Sequence, residues 1–69
     1  MREWLRASRK EKGFTAAEMG KELGISESYY CMIENGERQK KMDITLLSLI
    51  AQVLDKPITE IIRMETERK

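Results

Sequence analysis

Gly13, Gly24 and Gly36 cut the first half of the chain into stretches of helix length. A glycine just past a helix adopts the left-handed conformation that closes the last turn, without the steric cost a side chain would bring. No segment alternates apolar and polar residues at the strand period, so this punctuation confines the chain to short helices. A first helix is expected from about Arg2 to Lys12, ending at Gly13. Thr15-Ala16-Ala17-Glu18 is a capping box, in which the Thr15 hydroxyl accepts from the Glu18 amide and the Glu18 carboxylate reaches back. The second helix then runs to Leu23, with Gly24 as its stop. Ser26 caps a third, about Glu27 to Asn35, closed by Gly36. After a basic loop at 37–43, Asp43 caps a fourth helix, about Ile44 to Leu54, whose Leu46, Leu47, Ile50, Val53 and Leu54 recur at helical spacing. Pro57 suits the first turn of a fifth, which carries Ile58, Ile61 and Ile62 on one stripe.

The expected fold is therefore all-α: a single domain over residues 1–69, built as a compact bundle of about five short helices. Its core spans about residues 2–62, with a C-terminal tail at 63–69. A chain of 69 residues buries only about 60% of the surface it exposes when unfolded, which leaves no room for both a core and a deep substrate pocket. No apolar run approaches the ~20 residues of a membrane span. The N-terminus is charged from Arg2 onward and lacks the apolar region of a signal peptide. The single cysteine, Cys31, forms no internal disulfide, so a cytoplasmic location is expected. There is no histidine to act as a base for Cys31, no metal-ligand cluster and no glycine-rich phosphate loop. Neither enzymatic activity, nor a cofactor, nor a small-molecule substrate is expected.

The formal net charge of +1 conceals a strong pattern. Residues 1–14 hold five basic and two acidic side chains, net +3, whereas residues 15–37 set Lys21 against five glutamates, net −4. Arg38, Lys40 and Lys41 then give residues 38–42 a net +3. Two basic patches thus flank an acidic middle, and an anionic partner would be held by the patches rather than by the overall field.

The segment 16–36 carries the most specific spacing. Met19 and Leu23 give the second helix an inner face, and Gly20 between them is small enough for another backbone to come close. Two short helices joined by a glycine turn form a helix-turn-helix, whose second helix can enter a DNA major groove. At about 100° per residue, Tyr30 and Ile33 point inward, Tyr29 and Glu34 flank them, and Glu27, Ser28, Cys31, Met32 and Asn35 point away.

With "RKEKGFT" at 9–15, "LGIS" at 23–26, "IENGER" at 33–38, "LIAQVL" at 49–54 and "ITEII" at 58–62, the chain resembles the Cro/C1-type, or XRE, family of phage-repressor-like helix-turn-helix regulators. The resemblance covers about Leu5 to Ile62. It implies a lambda-repressor-like bundle that binds operator DNA, usually as a dimer. Arg9 and Glu34 match a structural ion pair between the first and third helices. The base-reading positions fall on Glu27, Ser28, Cys31 and Met32, and Arg38, Lys40 and Lys41 match the basic loop that grips phosphates. Three departures stand out. Ala16 replaces the glutamine that usually opens the second helix on a phosphate. The reading face has no Arg, Lys, Asn or Gln before Asn35, so bidentate base contacts are scarce. The loop after Gly36 is longer than the family's common form.

Glu27 can accept from a cytosine amino group, Ser28 can donate to a base edge, and Met32 or Cys31 can lie on a thymine methyl. Tyr29 either donates to a phosphate or covers the edge of the core. Cys31 is either a redox-sensing thiol or a small filler. Trp4 is expected to pack on the C-terminal helix. An uncovered isoleucine beside the Leu54–Pro57 corner would give a self-complementary patch, hence a homodimer through Leu54–Ile62. The expected function is sequence-specific binding of double-stranded operator DNA, most simply as a repressor. The alternative is a protein-interaction module on the same scaffold, an antitoxin or anti-regulator, favoured by the acidic second and third helices.

Overall fold

The computed structural model describes residues 1–39 and 41–67. These form five helices and no strand: α1 Glu3–Glu11, α2 Ala16–Leu23, α3 Glu27–Asn35, α4 Ile44–Leu54 and α5 Ile58–Glu67.

The caps follow the local chemistry. At the start of α2, the Glu18 amide donates to Thr15 Oγ1 at 3.1 Å and the Thr15 amide donates to Glu18 Oε1 at 2.8 Å. The latter bond is the main cause, with the hydroxyl second, of a Glu18 carboxyl held below its ordinary range. The Leu46 amide donates to Asp43 Oδ1 at 2.8 Å and opens α4. That helix ends on Asp55, which takes the left-handed conformation at φ +55° where glycine is commoner. Helix α1 is one residue shorter at each end than the sequence suggests. Residue 2 sits at its N-cap, and the Arg2 side chain turns inward instead of capping.

Every helix contributes to one core: Leu5 from α1, Met19 and Leu23 from α2, Tyr30 and Ile33 from α3, Leu47, Ile50, Ala51 and Leu54 from α4, and Ile61 from α5. Of the tail expected at 63–69, residues 63–67 are instead the last turns of α5, and residues 68 and 69 lie outside the described residues. The reason is periodicity: Met64 and Glu65 continue the stripe set by Ile58, Ile61 and Ile62, and Met64 packs on the core. Glu65 accepts from the Trp4 indole N–H at 3.0 Å, which seats Trp4 of α1 on the C-terminal helix.

Candidate nucleic-acid interface

Helices α2 and α3 meet at a turn that glycine makes possible twice. Gly24 has φ +74°, and its amide donates to the Lys21 carbonyl at 3.1 Å, followed by the Ile25 amide to the Gly20 carbonyl at 2.9 Å. Gly20 is the other contributor. A Cβ there would lie 3.0 Å from the Ile25 carbonyl oxygen, 3.2 Å from that of Ser26 and 3.3 Å from the Glu27 amide nitrogen. All three are main-chain atoms at the entry to α3, so the close approach allowed by Gly20 sets how tightly the two helices dock. The Ser26 hydroxyl then accepts from the Tyr29 amide at 3.1 Å and starts α3.

The inner side of α3 is locked by a polar cluster. Tyr30 and Ile33 are fully buried, and Glu34 is nearly so. The Tyr30 hydroxyl donates to Glu34 Oε2 at 2.7 Å. Arg9 of α1 donates through Nε to Glu34 Oε2 at 3.0 Å and through a terminal nitrogen to Oε1 at 3.3 Å. Its other terminal nitrogen donates to the Phe14 carbonyl at 2.9 Å, tying the α1–α2 connection to the same point. The hydrogen bond to Glu34 raises the Arg9 pKa, and burial, followed by the bond to Glu34, pushes the Tyr30 phenol up. Arg9 and Glu34, singled out from the sequence as a pair, are thus in contact. The pair braces α3 rather than facing outward.

The outer edge is divided. Glu27, Ser28 and Asn35 are exposed, whereas Cys31 and Met32 are half-buried. At Met32 the chain folds back, because the amides of Glu37 and Arg38 donate to its carbonyl at 2.8 and 3.3 Å. Tyr29 is also half-buried, and its hydroxyl accepts from the Gln39 side-chain amide at 3.0 Å. Beyond the left-handed Gly36, at φ +84°, Arg38 and Lys41 are exposed. Lys40, the third basic residue expected to meet phosphates, lies outside the described residues. Among the described residues, no three cysteine or acidic side chains gather where they could hold a metal ion.

Sequence reasoning missed Arg2. Its side chain is 0% exposed, and it reaches both the end of α3 and the loop that follows. The one available signal was an acid, Glu65, at the i+7 position of the Ile58 stripe, where a carboxylate drawn toward the core calls for a cation.

A helix-turn-helix with a braced inner side, an open outer edge and a basic loop at its end defines a class, and comparison with known proteins agrees. The sequence profile of the helix-turn-helix family matches residues 5–61. The HTH-type transcriptional regulator YqaF of Bacillus subtilis (strain 168), itself uncharacterised, is 47% identical over 45 residues, 65% of this chain. The matched segment spans 59% of that relative's length. No solved structure matches. The chain belongs to the Cro/C1-type, or XRE, family of helix-turn-helix transcriptional regulators.

Proposed function

We propose that residues 1–69 act as one DNA-binding domain, a sequence-specific regulator of transcription that binds double-stranded operator DNA and represses by occupying it. In this reading α3 enters the major groove. Glu27 and Ser28 meet base edges first, and Cys31 and Met32 supply apolar contact deeper on the same edge. Arg38, Lys40 and Lys41 neutralise phosphates, and Tyr29 adds a hydroxyl beside them. The observation that carries the reading is the one-sided bracing of α3. Tyr30, Ile33 and Glu34 hold it from within, while Glu27 and Ser28 stay open at its start and Arg38 and Lys41 are exposed in the segment beyond its end. A second copy bound through Leu54–Ile62 would place two such edges on successive half-sites. Ile62, 38% exposed beside half-buried Ile58, supports that surface. Action on DNA would place the protein in the cytoplasm; no helix among the described residues is long and apolar enough to cross a membrane.

The test is duplex binding over a salt series with Arg38→Glu/Lys41→Glu beside the parent. Each neutralised phosphate contributes a slope of about −0.9 in log K against log salt, so the parent falls steeply and the reversed variant loses binding. A second reading, a protein-interaction module, draws on the exposed Glu18, Glu22 and Glu27 along α2 and α3. It predicts a parent without salt-sensitive duplex binding and a charge-reversed variant that keeps its protein partner.

A further inference from the structure

The Arg2 guanidinium has five N–H donors in a planar fork, and the structure gives each an acceptor. Nε donates to the Glu65 carboxylate at 3.0 Å, and one terminal nitrogen donates to Glu65 Oε2 at 3.0 Å. That nitrogen also donates to the Gln39 carbonyl. The other terminal nitrogen donates to the Ile33 carbonyl at 2.5 Å and the Arg38 carbonyl at 3.1 Å. Three main-chain carbonyls, one in the last turn of α3 and two in the following loop, therefore converge on one side chain anchored to α5. The loop is held from outside as well, since the Gln39 side chain donates to Tyr29 on α3 at 3.0 Å. Between these two bonds Gln39 stands at φ +53°, a left-handed conformation that a glutamine rarely adopts unless its surroundings impose it.

A buried charge is tolerated only when its partners are complete, and an apolar residue would fill the same space without that demand. What arginine does here, and neither an apolar residue nor lysine with its three donors on a point charge can do, is hold several carbonyls and a carboxylate in one plane. The carbonyls it holds belong to Arg38 and its neighbour, in the segment that carries the exposed basic side chains. We propose that Arg2, neutralised by Glu65, is the positioning residue of the phosphate-gripping loop: it fixes the main chain of residues 38 and 39 from inside the bundle and so fixes where Arg38 stands relative to the end of α3. This rests on the DNA-binding reading of that loop and adds to it a link from the loop to α5.

The test compares Arg2→Lys and Glu65→Gln with the parent and with Arg38→Ala. Backbone ¹⁵N relaxation is measured on the free proteins and duplex affinity over a salt series. Glu65→Gln keeps the size of the side chain and carries the test if Arg2→Lys does not fold. In the folded variants, the order parameters at residues 38 and 39 fall from about 0.85 to below about 0.6, while those within α3 stay high. The salt slope drops by about 0.9, matching the loss of the Arg38 phosphate contact, and adding Arg38→Ala produces no further drop. Folded variants with the parent's slope overturn the proposal, whether or not the loop has loosened. If Arg38→Ala itself leaves the slope unchanged, the phosphate role of the loop at Arg38 is what fails. Unchanged order at 38 and 39 in a folded variant then shows that Arg2 does not hold the loop either.

Discussion

The Tyr30 hydroxyl donates to Glu34 Oε2 at 2.7 Å, one turn further along α3, and the same oxygen accepts from Arg9 Nε at 3.0 Å. A carboxylate on α3 is thereby turned into the bundle and made part of its bracing. Removing one member leaves a buried charge or hydroxyl without its partner. Glu34→Ala is expected to cost about 3 kcal/mol or more. At roughly 4–8 °C per kcal/mol for a domain of this size, thermal unfolding should register a loss of at least about 12 °C. Arg9→Met/Glu34→Leu should cost less than the sum of its single substitutions, because no unpaired charge is left behind. Additive costs would show that the two side chains do not act as a pair.

The same cluster predicts an alkaline limit. Burial, with the bond to Glu34 second, raises the Tyr30 phenol above its ordinary value. In the unfolded chain a tyrosine releases its proton near pH ~10, while the folded protein retains it. Above that pH the unfolded state binds fewer protons, so stability is full below it and falls by about 1.4 kcal/mol per pH unit above it. Tyr30→Phe removes this contribution at the expense of one hydrogen bond. Denaturant unfolding between pH 9 and 11 should therefore give a shallower decline for Tyr30→Phe than for the parent, and equal slopes would remove Tyr30 from the account.

Gly20 predicts a graded response. Alanine gains about 0.5–1 kcal/mol in helix propensity, but its Cβ meets main-chain atoms at 3.0–3.3 Å. The two effects nearly cancel, and Gly20→Ala should unfold within about 1 kcal/mol of the parent. Gly20→Val adds branches where the turn at 25–27 has no flexible side chain to yield, and overpacking of this kind costs about 1–3 kcal/mol. A valine variant as stable as the parent would mean that α2 and the start of α3 are not in close contact.

These features were not equally visible beforehand. The five helices could be read because their signals are local: Thr15 with Glu18, Ser26 before Glu27, Asp43 before Ile44, and Gly24 and Gly36 behind Leu23 and Asn35. The direction of Tyr30 and Ile33 followed from helical periodicity alone. Arg2 was hard to find because its side-chain partners lie 31, 36, 37 and 63 residues away: nothing near residue 2 announces a buried cation, and the one hint, Glu65, sits at the other end of the chain. The half-burial of Met32 was missed for a related reason. Periodicity gives the direction of a side chain but not the loop that folds back at its position. Ile44, 61% exposed at the start of α4, runs the other way: an apolar residue in a helical register that the bundle leaves uncovered.

Ile62 carries the prediction about assembly. It is exposed on α5, while Ile61 beside it is fully buried. Ile62→Glu should convert a dimer to a monomer in sedimentation at tens of micromolar without changing the helical content. A parent that is already monomeric at that concentration, or a variant with the parent's mass, contradicts a dimer through Leu54–Ile62.

If the open edge of α3 reads base pairs, the preferred DNA sequence depends on the side chains along that edge. The most direct measurement is selection of bound sequences from a random duplex library at fixed salt, run in parallel for the parent and for Ser28→Gln. The selection should return a palindromic consensus with half-sites about 10 base pairs apart, and a changed preference at one position of each half-site when Ser28 becomes glutamine, which can pair bidentately with adenine. An identical consensus from both proteins, or no enrichment from either, would contradict base reading by that edge.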